Sequence, residues 1–352
     1  MTTTAQPTQA VVGQVVTDLA GALGSMLMGL GARCGLWQAL DGAGALTAAE
    51  FAARTGIIEP YARDWLRSQA AGGYLRYDPG TDRFELPPAV ADALLRGPGA
   101  AITDACLTMF AGMGADFADY EAAFRSGAGF AWHQRSAAHW QGTDALTRAT
   151  LTTELFAGAI SALDGVPAAL RAGGRVADVG CGFGAPTRMI ATAFPAASVT
   201  GFDYHDASVS AARRAAAAAG VGHRVRFEVA SADSFPGSAY TLITFVDSLH
   251  DLGDPETALR HARQALAHDG AVLLVEPAGA DRVQDNFNPV GRMYYAVSTL
   301  VCTPNAVAQA NRSLGTLAGE ARLRAVASAA GFSTVRRVAA ETPLNMVLEL
   351  RI

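Results

Sequence analysis

The chain predicts an α/β fold: a doubly wound, seven-stranded sheet with an antiparallel last strand, preceded by a mostly helical N-terminal domain. Three observations carry that reading. Apolar runs of strand character fall at 175–179, 198–202, 225–230, 240–246, 271–276, 334–339 and 345–350. Helical stretches near 185–194, 207–219, 255–267 and 319–330 alternate with most of them, the pattern of a parallel sheet covered on both faces. The last two runs are separated only by Glu341-Thr-Pro-Leu344, too short for a helical crossover, so they should pair as antiparallel neighbours.

The N-terminal elements follow from local signals. Ala10–Ala32 is apolar but interrupted by Gln14, Thr17, Asp18 and several glycines, which suits a buried or subunit-interface helix rather than a membrane span. Thr47, with Glu50 three residues on, forms a capping-box pattern that opens a short helix running to Gly56. Glu59–Ala71 reads as a second helix stopped by Gly72-Gly73. Tyr74–Tyr77 and Arg83–Leu86 flank the turn Asp78-Pro-Gly-Thr-Asp82, a hairpin. Helix, turn, helix and hairpin make a winged helix. Residues 90–165 look helical around an irregular connector, Gly127–His139. Two domains are therefore expected, 1–165 and 166–352, as the length of 352 residues also suggests.

Composition narrows the chemistry. All 27 basic residues are arginine, so Schiff-base catalysis, pyridoxal phosphate anchoring and the P-loop lysine are excluded. The formal net charge is −5, and the second winged-helix segment offers only Arg63 and Arg67 beside Glu59 and Asp64. Nucleic acid is not the expected partner, because phosphate binding needs clustered positive charge. Cys34, Cys106, Cys181 and Cys302 show no paired spacing, and no secretory signal opens the chain. Free thiols in the cytoplasm are expected.

Val176-Ala-Asp-Val-Gly-Cys-Gly-Phe-Gly184 carries most of the functional information. A strand runs into three alternating glycines and then into a helix, so the backbone turns sharply and presents main-chain N–H groups. The next strand ends in Asp203, placed to accept hydrogen bonds from a ribose diol. A nucleoside-containing cofactor at the carboxyl ends of the strands is implied. Gly180-Cys-Gly-Phe-Gly-Ala185 also satisfies GxGxxA, the dinucleotide pattern. Against a nicotinamide dinucleotide stand Asp178, which repels pyrophosphate but suits an ammonium group, the single nucleotide-binding set of strands, and the lack of arginine in the loop.

This motif, the acidic end of the second strand and the closing hairpin resemble the class I S-adenosylmethionine-dependent methyltransferases, over about residues 165–352. The resemblance implies a Rossmann-like domain in which Gly180, Gly182 and Gly184 line the methionine end of the cofactor and Asp203 holds the ribose. Asp178, Cys181, Tyr204, Ala232 and Asp247 join that expected cofactor set. Ser231 stands where many members carry an acidic residue against the adenine, with Asp233 offset from it.

Phe245-Val-Asp-Ser-Leu-His-Asp-Leu-Gly-Asp-Pro255 resembles the catalytic segment of plant-type small-molecule O-methyltransferases, which also have a winged-helix dimerisation domain. That resemblance implies a homodimer, a small-molecule acceptor, His250 as general base and Glu276 as its orienting partner. Leu252 replaces that group's tryptophan. Phe202-Asp-Tyr-His205, Asn288-Pro-Val-Gly-Arg292, Ser298–Pro304 and Glu341–Asn345 are similar to a bacterial group of winged-helix methyltransferases. The insertion Asp281–Arg312 reads as a lid or as dimer packing, with Asn288, Tyr294 and Tyr295 as candidate acceptor contacts. Trp132 and His133 could close the other side.

His133, His205, His250 and Asp251 are metal-ligating residue types, but they lack short-range ligand spacing, so no metal site is assigned. A metal-assisted C-methyltransferase, a ligand-sensing winged-helix regulator and a nicotinamide oxidoreductase are the alternatives.

Overall fold

The computed structural model describes residues 7–310, 312–338 and 344–352. The Glu341-Thr-Pro segment and residue 339 of the sixth expected strand lie outside the described residues.

Two compact units emerge: Met1–Gly112 with Ala138–Ala149, and Met113–Ala137 with Thr150–Ile352. The division is thus not a single cut after 165. Residues 150–165 join the sheet unit because Phe156, Ile160 and Leu163 are fully buried in its core. Residues 113–137 join it through Arg135, whose guanidinium donates to the carbonyls of Phe130, Leu300 and Val301.

In the first unit, Thr47 and Glu50 complete both arms of the capping box at the head of the Ala48–Thr55 helix. The Glu59–Ala71 helix follows, and β1 (Arg76–Asp78) pairs with β2 (Arg83–Glu85) as an antiparallel hairpin. Phe51, Trp65, Leu66 and Phe84 form the core. The Thr8–Arg33 helix docks only by its C-terminal end: the indole N–H groups of Trp65 and Trp37 donate to Leu27 and Met28 carbonyls. A Cβ on Gly31 would meet Trp65 at 2.6 Å, so only glycine allows that approach. The expectation that this helix is buried in the chain fails. Val12, Val16, Leu19, Leu23 and Met26 are each more than half exposed, since the tryptophans reach only the last turns. By length and composition it is the one described helix long and apolar enough to cross a membrane.

The second unit is the seven-stranded sheet. Its strands are β3 (Arg175–Val179), β4 (Ser198–Asp203), β5 (Val225–Val229), β6 (Tyr240–Val246), β7 (Leu266–Pro277), β8 (Thr334–Arg337) and β9 (Asn345–Arg351). Their order is β5-β4-β3-β6-β7-β9-β8. β3 to β7 run parallel, and β9 inserts antiparallel between β7 and β8. The helices Ala185–Ala193, Asp206–Ala218, Pro255–Ala265 and Glu320–Ala329 stand at the expected places, and apolar cores cover both faces. Strand order reverses at β3, flanked by β4 on one side and β6 on the other. Their carboxyl ends open the crevice where such sheets bind ligands. Every candidate residue below belongs to this unit.

Candidate active site

At the carboxyl end of β3 the chain turns on three residues in the left-handed region: Gly180 (φ 70°), Gly182 (φ 51°) and Gly184 (φ 74°). Gly180 and Gly184 are also glycine for space. A Cβ on the first would meet the Ser248 Cβ at 2.6 Å, and one on the second the Phe227 ring at 2.5 Å. At Gly182 a Cβ would touch nothing within 4 Å, so the outer face of the turn is open. The amides of Gly180 and the buried Cys181 are anchored to the Phe202 carbonyl, which fixes the turn to β4. Asp203, at the end of β4, accepts from the Gly182 and His205 amides at 2.9 Å each. Burial raises its carboxyl above the usual range.

Asp178 is 1% exposed and accepts hydrogen bonds from the Thr187 and Thr244 hydroxyls at 2.6 and 2.7 Å. Burial lifts its pKa to about 6 against those two bonds. Asp247 follows β6 with φ 47°, unusual for a residue with a side chain and frequent at ligand sites. Asn345, at the head of β9, donates to it at 2.5 Å. Burial and the neighbouring Glu276 carboxylate raise Asp247 to about 7. The glycine turn thus has an open face at Gly182 and one carboxylate, Asp203, bonded directly to it.

The second cluster lies one strand further along. His250 sits in the Leu249–Asp251 turn after β6, and Glu276 near the end of β7; both are almost fully buried. His250 Nδ1 is 2.5 Å from Glu276 Oε2, while Glu276 Oε1 accepts from the Leu249 amide at 3.0 Å. A carboxylate can only accept, so the imidazole carries a proton on Nδ1 and directs Nε2 away from Glu276. That nitrogen lies 3.4 Å from Asp251 Oδ1, and Cys302 is within hydrogen-bonding reach of the ring. Burial opposes charge on His250, but Glu276 and then Asp251 outweigh it and hold the pKa well above the ordinary histidine value.

The remaining candidates are placed less uniformly. Trp132 donates from its indole to Ser208 at 3.4 Å, and its amide to Asn305. The exposed His133 ring meets Tyr204 and His205 at 6.0 and 6.5 Å, and the Tyr204 hydroxyl lies 3.5 Å from His133 Nδ1. Burial pushes the Tyr204 phenol up to about 12. Ser231 is exposed and hydrogen-bonds Asp233, holding that carboxyl low, while Ala232 packs on the apolar core. Asn288 caps the Pro289–Val297 helix through the Gly291 amide. Tyr294 donates to the Leu344 carbonyl, and Tyr295 accepts from Asn286.

Cys302 was missed from sequence as a site residue. It closes the π-helical turn Ser298–Cys302, is 3% exposed, and accepts from the Thr316 hydroxyl at 3.0 Å. Burial pushes its thiol up to about 11. Only the π turn brings it to His250, and no spacing announces such a turn. Asn345 was equally invisible as Asp247's partner. Among the described residues, the metal-ligating types that converge are His250, Asp251 and Cys302; His133 and His205 are not part of that cluster.

Comparison with known proteins gives the following likenesses. Residues 177–272 match the methyltransferase domain family, and residues 21–96 match the Rv2258c-like winged HTH domain. The chain is 33% identical over 139 residues to 27-O-demethylrifamycin SV methyltransferase of Amycolatopsis mediterranei, covering 37% of this chain and 51% of that protein. The chain spans about half or less of the length of the curated relatives it matches. Among solved structures, a putative O-methyltransferase from Nostoc punctiforme superimposes with TM-score 0.74 at 19% identity, covering 98% of this chain and 99% of that one. Mitomycin 7-O-methyltransferase superimposes with TM-score 0.69 at 18% identity over the same shares. These two establish the likeness of fold.

Proposed function

We infer that this chain, a class I S-adenosylmethionine-dependent methyltransferase domain carried behind a winged-helix domain, methylates an oxygen of a small molecule. The observation that carries the reading is the His250–Glu276 pair, 2.5 Å apart and buried beside the glycine turn. S-adenosylmethionine, when bound, supplies a methyl group activated by its positive sulfur.

The chain's own residues do the rest. Gly180, Gly182 and Gly184 give the cofactor a close approach to main chain, and the free lone pairs of Asp203 suit its ribose. Asp178 and Asp247 are assigned to the cofactor's ammonium group, and both ionise more readily once a cation arrives. His250 Nε2 takes the acceptor's hydroxyl proton, while Glu276 fixes the tautomer that leaves Nε2 able to do so. Since carboxylates raise the His250 pKa, the unprotonated fraction grows with pH, and the rate should climb above neutrality. Trp132, His133 and the 281–312 segment are assigned to the acceptor side, the latter as a lid, and Tyr204 stays with the cofactor.

Homodimerisation and a cytoplasmic location complete the proposal. The exposed stripe Val12, Val16, Leu19, Leu23 and Met26 is larger than a lone soluble helix leaves bare, which suits a second copy. Light scattering of the purified chain tests that state directly.

The decisive test compares thermal stabilisation by S-adenosylhomocysteine with that by NADH and NADPH. A ligand well above its dissociation constant raises the melting temperature by several degrees. Stabilisation by S-adenosylhomocysteine alone is expected, followed by acceptor screening for a product one methylene heavier. Stabilisation by a nicotinamide cofactor alone overturns the proposal; stabilisation by none moves the regulator reading forward.

A further inference from the structure

We propose that His250 Nε2, Asp251 Oδ1 and Cys302 Sγ form a binding site for a thiophilic divalent cation such as zinc. One ligand atom from each of the three residues lies within 4.8 Å of the other two, and His250 Nε2 is 3.4 Å from Asp251 Oδ1. Zinc bonds of about 2.0–2.3 Å in tetrahedral array set ligand atoms roughly 3.3–3.7 Å apart, so closing on a metal requires only small side-chain movements.

Each ligand is prepared in its own way. Glu276 holds His250 Nδ1 at 2.5 Å, the carboxylate–histidine arrangement that orients a metal-binding imidazole and directs Nε2 outward. Asp251 Oδ1 is buried and makes no hydrogen bond among the described residues, while its side chain as a whole keeps 23% exposure. It faces His250 Nε2 at 3.4 Å without a hydrogen bond to it, so it can accept a cation there and has room to move. Cys302 receives the Thr316 hydroxyl at 3.0 Å, a contact that steadies a thiolate. Imidazole, carboxylate and thiolate together favour zinc over magnesium or calcium. Three protein ligands leave one position for water.

This goes beyond the methyltransferase reading and does not depend on it. The two meet at one atom: a metal on Nε2 removes His250 from proton transfer, so bound zinc should inhibit methylation.

The test uses cobalt(II) and zinc with the full chain carrying Cys34→Ser, which removes the exposed thiol, and needs neither cofactor nor acceptor. We expect one cobalt per chain with a sulfur-to-cobalt charge-transfer absorption, displaced by zinc. Adding Cys302→Ser should abolish that absorption. Asp251→Asn, at a partly exposed side chain, should weaken zinc at least tenfold in calorimetry while the metal-free protein still unfolds in one cooperative transition. No binding at micromolar metal, absorption that survives Cys302→Ser, or unchanged affinity in Asp251→Asn each overturns the proposal. Failure of S-adenosylhomocysteine to bind would leave all three readouts intact, so the two readings fail separately.

Discussion

The two ends of the crevice are built on different principles. At β3 the surface is main chain: three left-handed glycines, amides pinned to Phe202, and one carboxylate bridging two N–H groups. At β6 and β7 it is side chain: an imidazole gripped by Glu276 and faced by Asp251 and Cys302, drawn from separate segments. The glycine turn is a shape, and substitution should break it by volume and torsion. The histidine cluster is a charge arrangement, and substitution should retune it without moving the backbone.

The largest break should come from Gly180→Val. Its φ of 70° is costly for a β-branched residue, and the first added carbon already collides with Ser248 at 2.6 Å. Stabilisation by S-adenosylhomocysteine should disappear in a thermal shift assay, and methyl transfer with it. Retained stabilisation would mean that the turn is only structural. Next in size is His250→Ala. Methyl transfer should fall about 10²–10⁴-fold, the usual weight of a general base. Stabilisation by S-adenosylhomocysteine should persist, because the β3 turn makes no use of the imidazole. Joint loss of both would erase the distinction between the two ends.

That distinction also explains what could be read in advance. The turn is legible because its causes are contiguous: Val176 to Gly184 contains the strand, the torsions and the start of the helix. Asp203 is legible because β4 must pair with β3, which places its end beside the turn. Thr47 and Glu50 announced their capping box for the same local reason. His250 and Glu276 entered through a resemblance, and their meeting depends on β6 and β7 lying side by side in register. Cys302 had no local cause to read, since its place is set by the π turn and by Arg135 gripping the carbonyls of Leu300 and Val301. The Thr8–Arg33 helix reads as buried or at a subunit interface, and only burial within the chain fails, because its apolar residues specify burial without specifying the surface that buries them.

The smallest and most informative change is Glu276→Gln. The amide has one acceptor and one donor group, whereas both carboxylate oxygens are in use, on the Leu249 amide and on His250 Nδ1. If the amide oxygen keeps Leu249, its NH2 faces Nδ1 and drives the ring proton to Nε2, the wrong tautomer for a base. The rate should fall about 10–100-fold, the range seen when a partner that orients a histidine is lost. The pH response carries the sign. In the native chain the carboxylates hold the His250 pKa above its unfolded value. Their stabilisation is therefore fully present below the unfolded pKa of about 6.5 and is lost as pH rises through the folded value. Removing the Glu276 charge lowers the folded pKa, so Glu276→Gln should lose less stability than the native chain as pH rises above the unfolded value of about 6.5. Its activity limb should shift toward acid at the same time. Melting temperatures across that range check the first expectation, and a pH–rate profile checks the second. A profile that keeps its position would assign the titration to another group and leave His250 without its role as base.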